Sequence, residues 1–391
     1  MRSAWIGLTL CTVSGCLLET SGSSTGAGTS PGNIPATSGG QGSTGASVGS
    51  TTGGATRSST TGGGAGGTTT GSTGTESSEV LWVGGVGALT EAQLSQSGEV
   101  SFSTTCDGPC GPLGGAAAVG TGALWVQACL GGDIVSFQPS AAFDSCTQLP
   151  TVVSVDHILM DGLAFDSDGR LWGSAEGGIM VLSASLQGDW LEPLPVDCGG
   201  TDTICQPVGL AFDTAGFLWV GNGSIVAFSP ATLAAGGGPA PDLQITSPQT
   251  AGAAAQYLAF DRFGDLWATT ENVLIPYGSA DQIVEFSREQ LEGLAADDAP
   301  TPAFTIEPPS PSPPSGETFR WGPIAFDADG NLWALAWRPD LNLLRFSSAA
   351  LADGGLPDIV ITFSADTLDV GNLTSLLFDP IPPSLPIQPE P

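Results

Sequence analysis

A ten-residue pattern that occurs four times constrains the fold of this 391-residue chain more than any other feature. Each copy reads hydrophobic-Ala-Phe-Asp-x-x-Gly-x-Leu-Trp, and the copies occupy residues 163–172, 210–219, 258–267 and 324–333. We interpret each copy as a strand, a tight turn and a second strand. The Asp carboxylate can accept hydrogen bonds from N–H groups of the turn, and the Gly supplies the positive φ that the turn requires. The repeat therefore predicts an all-β chain of antiparallel strands.

The spacing of the copies predicts the architecture. Leu-Trp pairs end at Trp82, Trp125, Trp172, Trp219, Trp267 and Trp333, at successive spacings of 43, 47, 47, 48 and 66 residues. Further strands ending at Phe228, Phe286 and Phe346 each lead into a short helical turn and then a fourth strand. A period in the forties with four short strands per unit is typical of β-propeller blades.

The two ends of the repeat region complement each other. The last inner-strand motif, residues 376–379, has no Leu-Trp strand after it, and the first Leu-Trp strand, residues 80–83, has no inner strand before it. If the two halves pair, they complete one shared blade and remove the open seam of the ring. We therefore predict an all-β, six-bladed β-propeller over residues 79–391, closed by the N-terminal and C-terminal strands.

With these motifs the sequence resembles NHL-type six-bladed propellers, in the repeat style of the gluconolactonase and lactonase-like group. The resemblance implies a divalent cation at the top of the central channel, held by carboxylates and amides of the inner strands. Four residues before each inner-strand Phe, however, this chain has Asp161, Val208, Gln256, Gly322 and Thr374. Acids do not recur in register, so we expect neither a central metal nor another cofactor.

The N-terminus predicts export and lipid anchoring. Arg2 precedes an apolar stretch, residues 4–13, that is too short to span a bilayer. The following Val13-Ser-Gly-Cys16 resembles the lipobox of bacterial lipoproteins, which implies a signal peptide over residues 1–15 and lipid attachment at Cys16. Leu17 stands where the family places Asp for inner-membrane retention, so we expect outer-membrane delivery. An ordinary secretory peptide with an incidental Cys is the alternative.

The segment between the predicted lipid and the propeller has a composition of its own. Of the 59 residues 20–78, 46 are Gly, Ser or Thr. Such a segment buries too little apolar surface to offset the entropy of ordering. We predict that residues 16–78 form a lipidated N-terminus followed by a disordered linker.

Charge restricts the partners. The chain has 39 Asp and Glu against 8 Lys and Arg, for a formal net charge of −31. It lacks the basic surface that phosphate backbones require, so we exclude nucleic acid. We expect a monomer that binds a protein, a glycan or a small molecule, with cationic partners favoured.

Six cysteines follow the predicted signal peptide and its lipid-attachment site. They are Cys106, Cys110, Cys129, Cys146, Cys198 and Cys205. An even number in an exported chain predicts disulfides, and Cys198 with Cys205 is the best local pair. The pairing of the other four stays open. Cys146 should begin an outer strand at the opposite end from Cys129, which disfavours a bond between those two.

Few residues offer catalytic chemistry. His157, the single histidine, precedes Asp161 near the start of an inner strand, and the two could form an acid/base pair. The run Asp166-Ser-Asp168-Gly169 has part of a calcium-loop pattern, but sister copies hold Thr214-Ala215 in the same slot, which favours turn chemistry. Two insertions, around residues 271–280 and 308–314, fall on the face where inner strands begin.

Three functional hypotheses follow. The first is an envelope lipoprotein whose propeller binds a partner without catalysis. The second is a metal-dependent hydrolase of the lactonase type, with a site at the channel mouth that uses loop acids and His157. The missing ring of acids favours the first hypothesis, and a passive envelope spacer is a third.

Overall fold

The computed structural model describes the repeat region in the following ranges: 79–84, 87–102, 104–105, 112–118, 123–128, 133–139, 146–153, 159–175, 178–182, 208–222, 224–236, 240–246, 254–271, 281–295, 298–308, 320–338, 341–352, 356–363 and 375–379. The predicted lipid-attachment residue Cys16, the linker and His157 lie outside the described residues. Cys106, Cys110, Cys129, Cys198 and Cys205 lie outside them too.

Within the described ranges the chain forms 24 strands and four short helices. The strands are β1 Val80–Val83, β2 Gly87–Thr90, β3 Gly98–Val100, β4 Thr104–Thr105, β5 Pro112–Ala118, β6 Leu124–Ala128, β7 Asp133–Pro139, β8 Cys146–Val153, β9 Leu159–Phe165, β10 Leu171–Ala175, β11 Gly178–Leu182, β12 Gly209–Phe212, β13 Leu218–Asn222, β14 Ser224–Phe228, β15 Leu243–Ile245, β16 Ala254–Phe260, β17 Leu266–Glu271, β18 Gln282–Phe286, β19 Phe304–Ile306, β20 Arg320–Phe326, β21 Leu332–Arg338, β22 Asn342–Phe346, β23 Ile359–Phe363 and β24 Leu376–Asp379. The helices are α1 Glu91–Leu94, α2 Pro230–Ala235, α3 Arg288–Glu292 and α4 Ser348–Ala352. None of these helices has the length and apolar character needed to cross a membrane.

The described strands form antiparallel meanders, which we name by their tryptophans. The closing sheet has the order β24-β1-β2-β4, the Trp125 sheet β5-β6-β7-β8 and the Trp172 sheet β9-β10-β11. The Trp219 sheet is β12-β13-β14-β15, the Trp267 sheet β16-β17-β18-β19, and the Trp333 sheet β20-β21-β22-β23 with β3 added at its edge. The inner strands contact one another in cyclic order: β5, β9, β12, β16, β20, β24 and again β5. The chain is a β-propeller, as the repeat predicted.

The closing sheet joins the two ends of the chain. Strand β1 pairs antiparallel with β2 on one side and with β24 on the other. Leu81 lies opposite Phe378, in the register that places Leu218 opposite Phe212 in the Trp219 sheet. The motif that is continuous in the other sheets is therefore split here between the termini. The prediction that N-terminal and C-terminal strands share one sheet is confirmed.

The four repeated turns use the Asp as predicted. In the Trp172 sheet, Asp166 Oδ1 accepts hydrogen bonds from the N–H groups of Asp168 (3.0 Å) and Arg170 (2.9 Å). Gly169 donates its N–H to the Asp166 carbonyl (3.0 Å) and has a φ of 75°. The equivalent glycines of the other three turns also have positive φ values: 82° for Gly216, 85° for Gly264 and 80° for Gly330. The partial calcium-loop pattern at residues 166–169 is thus a capped turn.

The same Asp also binds the motif's tryptophan, which sequence reasoning missed. Asp213 Oδ2 accepts a hydrogen bond from the Trp219 indole N–H at 2.9 Å. Equivalent bonds join Trp172 to Asp166 at 2.8 Å and Trp333 to Asp327 at 2.9 Å. The Asp and the Trp are six residues apart, and the turn between their strands brings them together. The Asp carboxylate therefore satisfies the indole N–H while the ring is buried.

Neighbouring sheets pack through these tryptophans. Each indole contacts the inner-strand Phe of the next sheet edge-to-face or at a tilt, which is the favoured geometry for aromatic pairs. The ring centroids are 5.9 Å apart for Trp172 and Phe212, 6.2 Å for Trp219 and Phe260, 5.8 Å for Trp267 and Phe326, and 6.2 Å for Trp333 and Phe378. The motif therefore supplies both halves of the contact between sheets.

The outer edge of a sheet is covered by the next repeat unit. Strand β3, which follows α1, pairs in parallel with β23 at the edge of the Trp333 sheet. Asp298, which follows α3, forms the same kind of parallel bridge with Ile245 of β15. Covering an edge removes unpaired N–H and C=O groups that would otherwise pair with other chains. The sequence pattern did not predict these parallel contacts.

Candidate functional site at the mouth end of the Trp333 sheet

Three inner strands, β9, β16 and β20, change register just before their hydrophobic-Ala-Phe segment. We call the end where inner strands begin the mouth end, and the end that carries the Asp-Gly turns the turn end. In the Trp267 sheet, the register shifts between Ala255 and Leu258, and the N–H of Tyr257 is bound by Thr269 Oγ1 at 3.1 Å. In the Trp172 sheet, Ser174 Oγ likewise accepts a hydrogen bond from the Gly162 N–H at 2.9 Å. Such irregularities redirect side chains and are frequent beside binding sites.

The Trp333 sheet differs from its sisters at this point. Pro323 occupies the position of Tyr257 and has no N–H, and Leu335 replaces the hydroxyl residue. Like the Trp125 sheet, this sheet also has a second register shift: Arg320 lies opposite Arg338, whereas Trp321 lies opposite Ala336. One additional residue, Trp337, is therefore accommodated on β21.

The Trp337 indole packs across the inner strands. It meets Tyr257 of the neighbouring sheet edge-to-face, with centroids 6.0 Å apart and an interplanar angle of 90°. A Cβ atom on Gly322 would lie 2.9 Å from the indole, so only glycine leaves room for it. The ring is partly exposed, and its Nε1 is buried without a hydrogen-bond partner among the described residues.

Two arginines occupy paired backbone positions at this end of the sheet, in a strongly acidic chain. The Cα atoms of Arg320 and Arg338 are direct partners on adjacent strands. Only 8 Lys and Arg residues stand against 39 acids in the whole chain, so the pairing of two at one sheet end is notable. We name Tyr257, Arg320, Trp337 and Arg338 the mouth cluster.

The residues predicted as a possible acid/base pair are only partly placed. Asp161 lies within strand β9 rather than in the loop before it, and His157 lies outside the described residues. Cys146 begins β8, the outermost strand of the Trp125 sheet, which confirms the strand position predicted for it. Across the described residues, no group of three or more His, Cys, Asp or Glu side chains is arranged to hold a metal ion.

Sequence reasoning did not single out the mouth cluster. Its signal was present in Leu332-Trp-Ala-Leu-Ala-Trp-Arg338, where a second Trp follows the motif Trp by four residues. The two insertions predicted on this face both follow strands of the neighbouring Trp267 sheet. One begins near Glu271 at the end of β17, and the other begins near Pro308 after β19. The arginine pairing depends on a register shift that no local pattern shows.

Comparison with solved structures finds similar propellers. The fold is similar to that of a virginiamycin B lyase from Staphylococcus aureus, with 15% identity, coverage of 61% of this chain and 67% of that chain, and a TM-score of 0.40. It is also similar to that of the periplasmic gluconolactonase of Pseudomonas aeruginosa, with 15% identity, coverage of 71% of this chain and 81% of that chain, and a TM-score of 0.46. A protein from Lactobacillus plantarum has 14% identity, coverage of 73% of this chain and 82% of that chain, and a TM-score of 0.47. No family model and no curated protein matches the chain. These similarities concern the fold.

Proposed function

We propose that the chain is an outer-membrane lipoprotein, anchored through Cys16, whose six-bladed β-propeller binds a ligand without catalysis. The cyclic order of inner-strand contacts supports six blades, because each of the six sheets contributes one inner strand to it. The lipobox-like residues support the anchor, and the Gly/Ser/Thr-rich linker would hold the propeller away from the membrane. Disulfides among the six cysteines, with Cys198 bonded to Cys205, belong to the same proposal.

The mouth cluster carries the proposal of binding. The backbone pairs Arg320 of β20 with Arg338 of β21, and the partly exposed Trp337 directly precedes Arg338. Guanidinium groups bind carboxylates and phosphates through paired hydrogen bonds, and an aromatic face adds apolar contact. The ligand class that fits is an anion with a flat apolar part, such as an aromatic or ring-shaped carboxylate.

Thermal melting of the full chain tests this site. The Cys16→Ser variant, which we expect to stay in solution, serves as the parent protein. We expect benzoate to raise its melting temperature more than acetate or inorganic phosphate, and methylammonium to have no effect. Arg338→Gln should remove the benzoate effect, whereas Arg262→Gln, which removes the same charge at the turn end, should retain it. Equal responses of the two variants would reject the site.

A metal-dependent hydrolase of the lactonase type is the second candidate. Asp161 lies at the mouth end of β9 and Gln256 stands at the matching position of β16, so two oxygen-bearing side-chain types occur in register. Lactone hydrolysis that requires calcium, stops with a chelator and is lost in Asp161→Asn would support this candidate. The binding proposal expects no turnover and no upward shift in melting temperature with calcium or magnesium.

A further inference from the structure

A pair of cavities lies at the turn end, opposite the mouth cluster. The larger cavity, of about 410 Å³, lies between the turn of the Trp219 sheet and helix α3 of the next sheet. Its apolar lining includes Phe217, Leu243, Leu291 and Leu294. A volume in this range with a mostly apolar lining and a few polar groups is typical of ligand sites.

The second cavity repeats the arrangement one sheet earlier. It has a volume of about 270 Å³ and lies between the turn of the Trp172 sheet and helix α2, with Phe212 and Leu233 in its lining. The two cavities share Thr214 and Ala215, the exposed residues at the tip of the Trp219 turn. They therefore flank one turn and can be occupied by one extended segment that crosses its tip.

The next turn shows how this position can be closed. There, Arg262 and Phe263 replace Thr214 and Ala215. The Arg262 guanidinium stacks on the Phe263 ring at 4.9 Å and lies against Gly330 of the following turn. The small residues at the Trp219 tip leave the corresponding space open, and the turn itself tolerates large side chains at both positions.

The rim of the two cavities is acidic. Four carboxylates line them, from Asp166, Asp168, Asp213 and Glu292, against two guanidinium groups, from Arg170 and Arg288, for a net charge of −2. Both arginines already bind carboxylates of their own sheets: Arg170 binds Asp166 at 2.6 Å, and Arg288 binds Glu292 at 2.6 Å. The exposed fractions of Asp168 and Glu292 are 72% and 61%, and both are paired with these arginines, Asp168 with Arg170 at 3.0 Å. The excess of two carboxylates over guanidinium groups leaves the rim negative, which can steer a cationic partner.

We infer that this pair of cavities is a docking site for a cationic, apolar peptide segment of another protein. A large apolar side chain of the segment enters the larger cavity, the chain crosses Thr214 and Ala215, and flanking Lys or Arg residues lie against the acidic rim. A second copy of this chain is a poor occupant, because two molecules of net charge −31 repel each other. The inference is independent of the mouth cluster, which selects anions.

Fluorescence anisotropy with labelled synthetic peptides tests the inference on the full chain carrying Cys16→Ser. The probes have a central Leu-Phe or Ala-Ala pair flanked by lysines or by glutamates. We expect the lysine-flanked Leu-Phe peptide to bind, with affinity that falls as salt shortens the Debye length below about 10 Å. Replacing Leu-Phe by Ala-Ala, or lysines by glutamates, should weaken binding by at least about tenfold.

Two matched phenylalanine variants locate the site. Ala215→Phe fills the shared rim of the cavities with the residue that the sister turn already carries, and should weaken binding by at least about tenfold. Ala328→Phe adds the same side chain at the exposed tip of the Trp333 turn, which lines neither cavity, and should bind as the parent does. Absent binding, equal loss in both variants, or equal binding of glutamate-flanked peptides would overturn the inference. A dimer that Ala215→Phe dissociates would replace the peptide by a second copy and would also overturn it.

Discussion

The C-terminal strand should hold the whole propeller together, although its place at the end of the chain suggests that it is dispensable. We expect removal of residues 373–391 to destabilise the propeller far more than removal of residues 20–75. The truncation removes β24, so β1 loses a paired strand and exposes its hydrogen-bonding edge. It also removes the N–H acceptor that the Ser375 carbonyl provides to Gly84 at 2.9 Å.

The burial of β24 sets the magnitude. Phe378 is 2% exposed and Leu376 is 8% exposed, and both belong to a cluster with Leu81 and Trp333. Loss of a large buried side chain costs about 2–5 kcal/mol, so these two alone contribute about 4–10 kcal/mol. That is comparable to the whole unfolding free energy of a typical domain, about 5–15 kcal/mol. We therefore expect the truncated propeller to be unfolded or close to it at room temperature.

Urea denaturation of both deletions measures the difference, with a point variant as a second measurement. Phe378→Ala should lower the unfolding free energy by about 3–5 kcal/mol. Phe263→Ala is the matched control, because Phe263 is 57% exposed and its loss should change stability by less than about 0.5 kcal/mol. Equal denaturation midpoints for the two deletions would mean that the ring closes without β24, and the reasoning would fail.

Three further predictions concern pH, the anchor and the turns. Burial raises the pKa of Glu79 from 4.5 to about 7. A hydrogen bond from the Ala328 N–H opposes this rise, whereas the nearby carboxylates of Asp327, Asp329 and Glu91 add to it. The folded state thus favours the protonated carboxyl, and this stabilisation is full below about pH 4.5 and lost as the pH rises through about 7. Glu79→Gln keeps an acceptor without a charge, so melts at pH 5 to 8 should show a smaller loss of stability, by about 1 kcal/mol after solvent screening; an unchanged pH profile would contradict this. Cys16→Ser should move the protein from the membrane fraction to the soluble fraction, and persistence in membranes after a high-salt wash would reject lipid anchoring. Asp213→Asn places an amide against the Trp219 N–H and should lower the unfolding free energy by about 1–3 kcal/mol, whereas Thr214→Ala at the exposed tip should have little effect.

Local chemistry explains how much of the fold could be predicted from the sequence. Asp166 and Gly169 lie in one turn, so their spacing alone specified the hydrogen bonds that the structure contains. The serine-capped helices α2 and α3 were readable for the same reason, because Ser229 and Ser287 cap N–H groups three residues ahead. The register of the closing sheet followed from matching the two halves of one motif.

Features that depend on pairing between strands were not readable. The bond from Trp219 to Asp213 forms only once β12 and β13 are in register. The added residue Trp337 and the opposition of Arg320 and Arg338 arise from a register shift within β20 and β21. A repeat pattern reports what each unit shares, so it cannot show where one unit departs from its sisters. The candidate site lies at such a departure.

The most direct test of ligand binding at the mouth cluster is a nuclear magnetic resonance titration of the indole N–H signals with benzoate. The chain has ten tryptophans, and the Trp337 signal is identified by its loss in Trp337→Phe. We predict that benzoate shifts the Trp337 signal in a saturable way and leaves those of Trp172 and Trp219, which are bonded to Asp166 and Asp213, unchanged. A Trp337 signal that does not move at saturating benzoate, or that moves equally in Arg338→Gln, would contradict binding at this site.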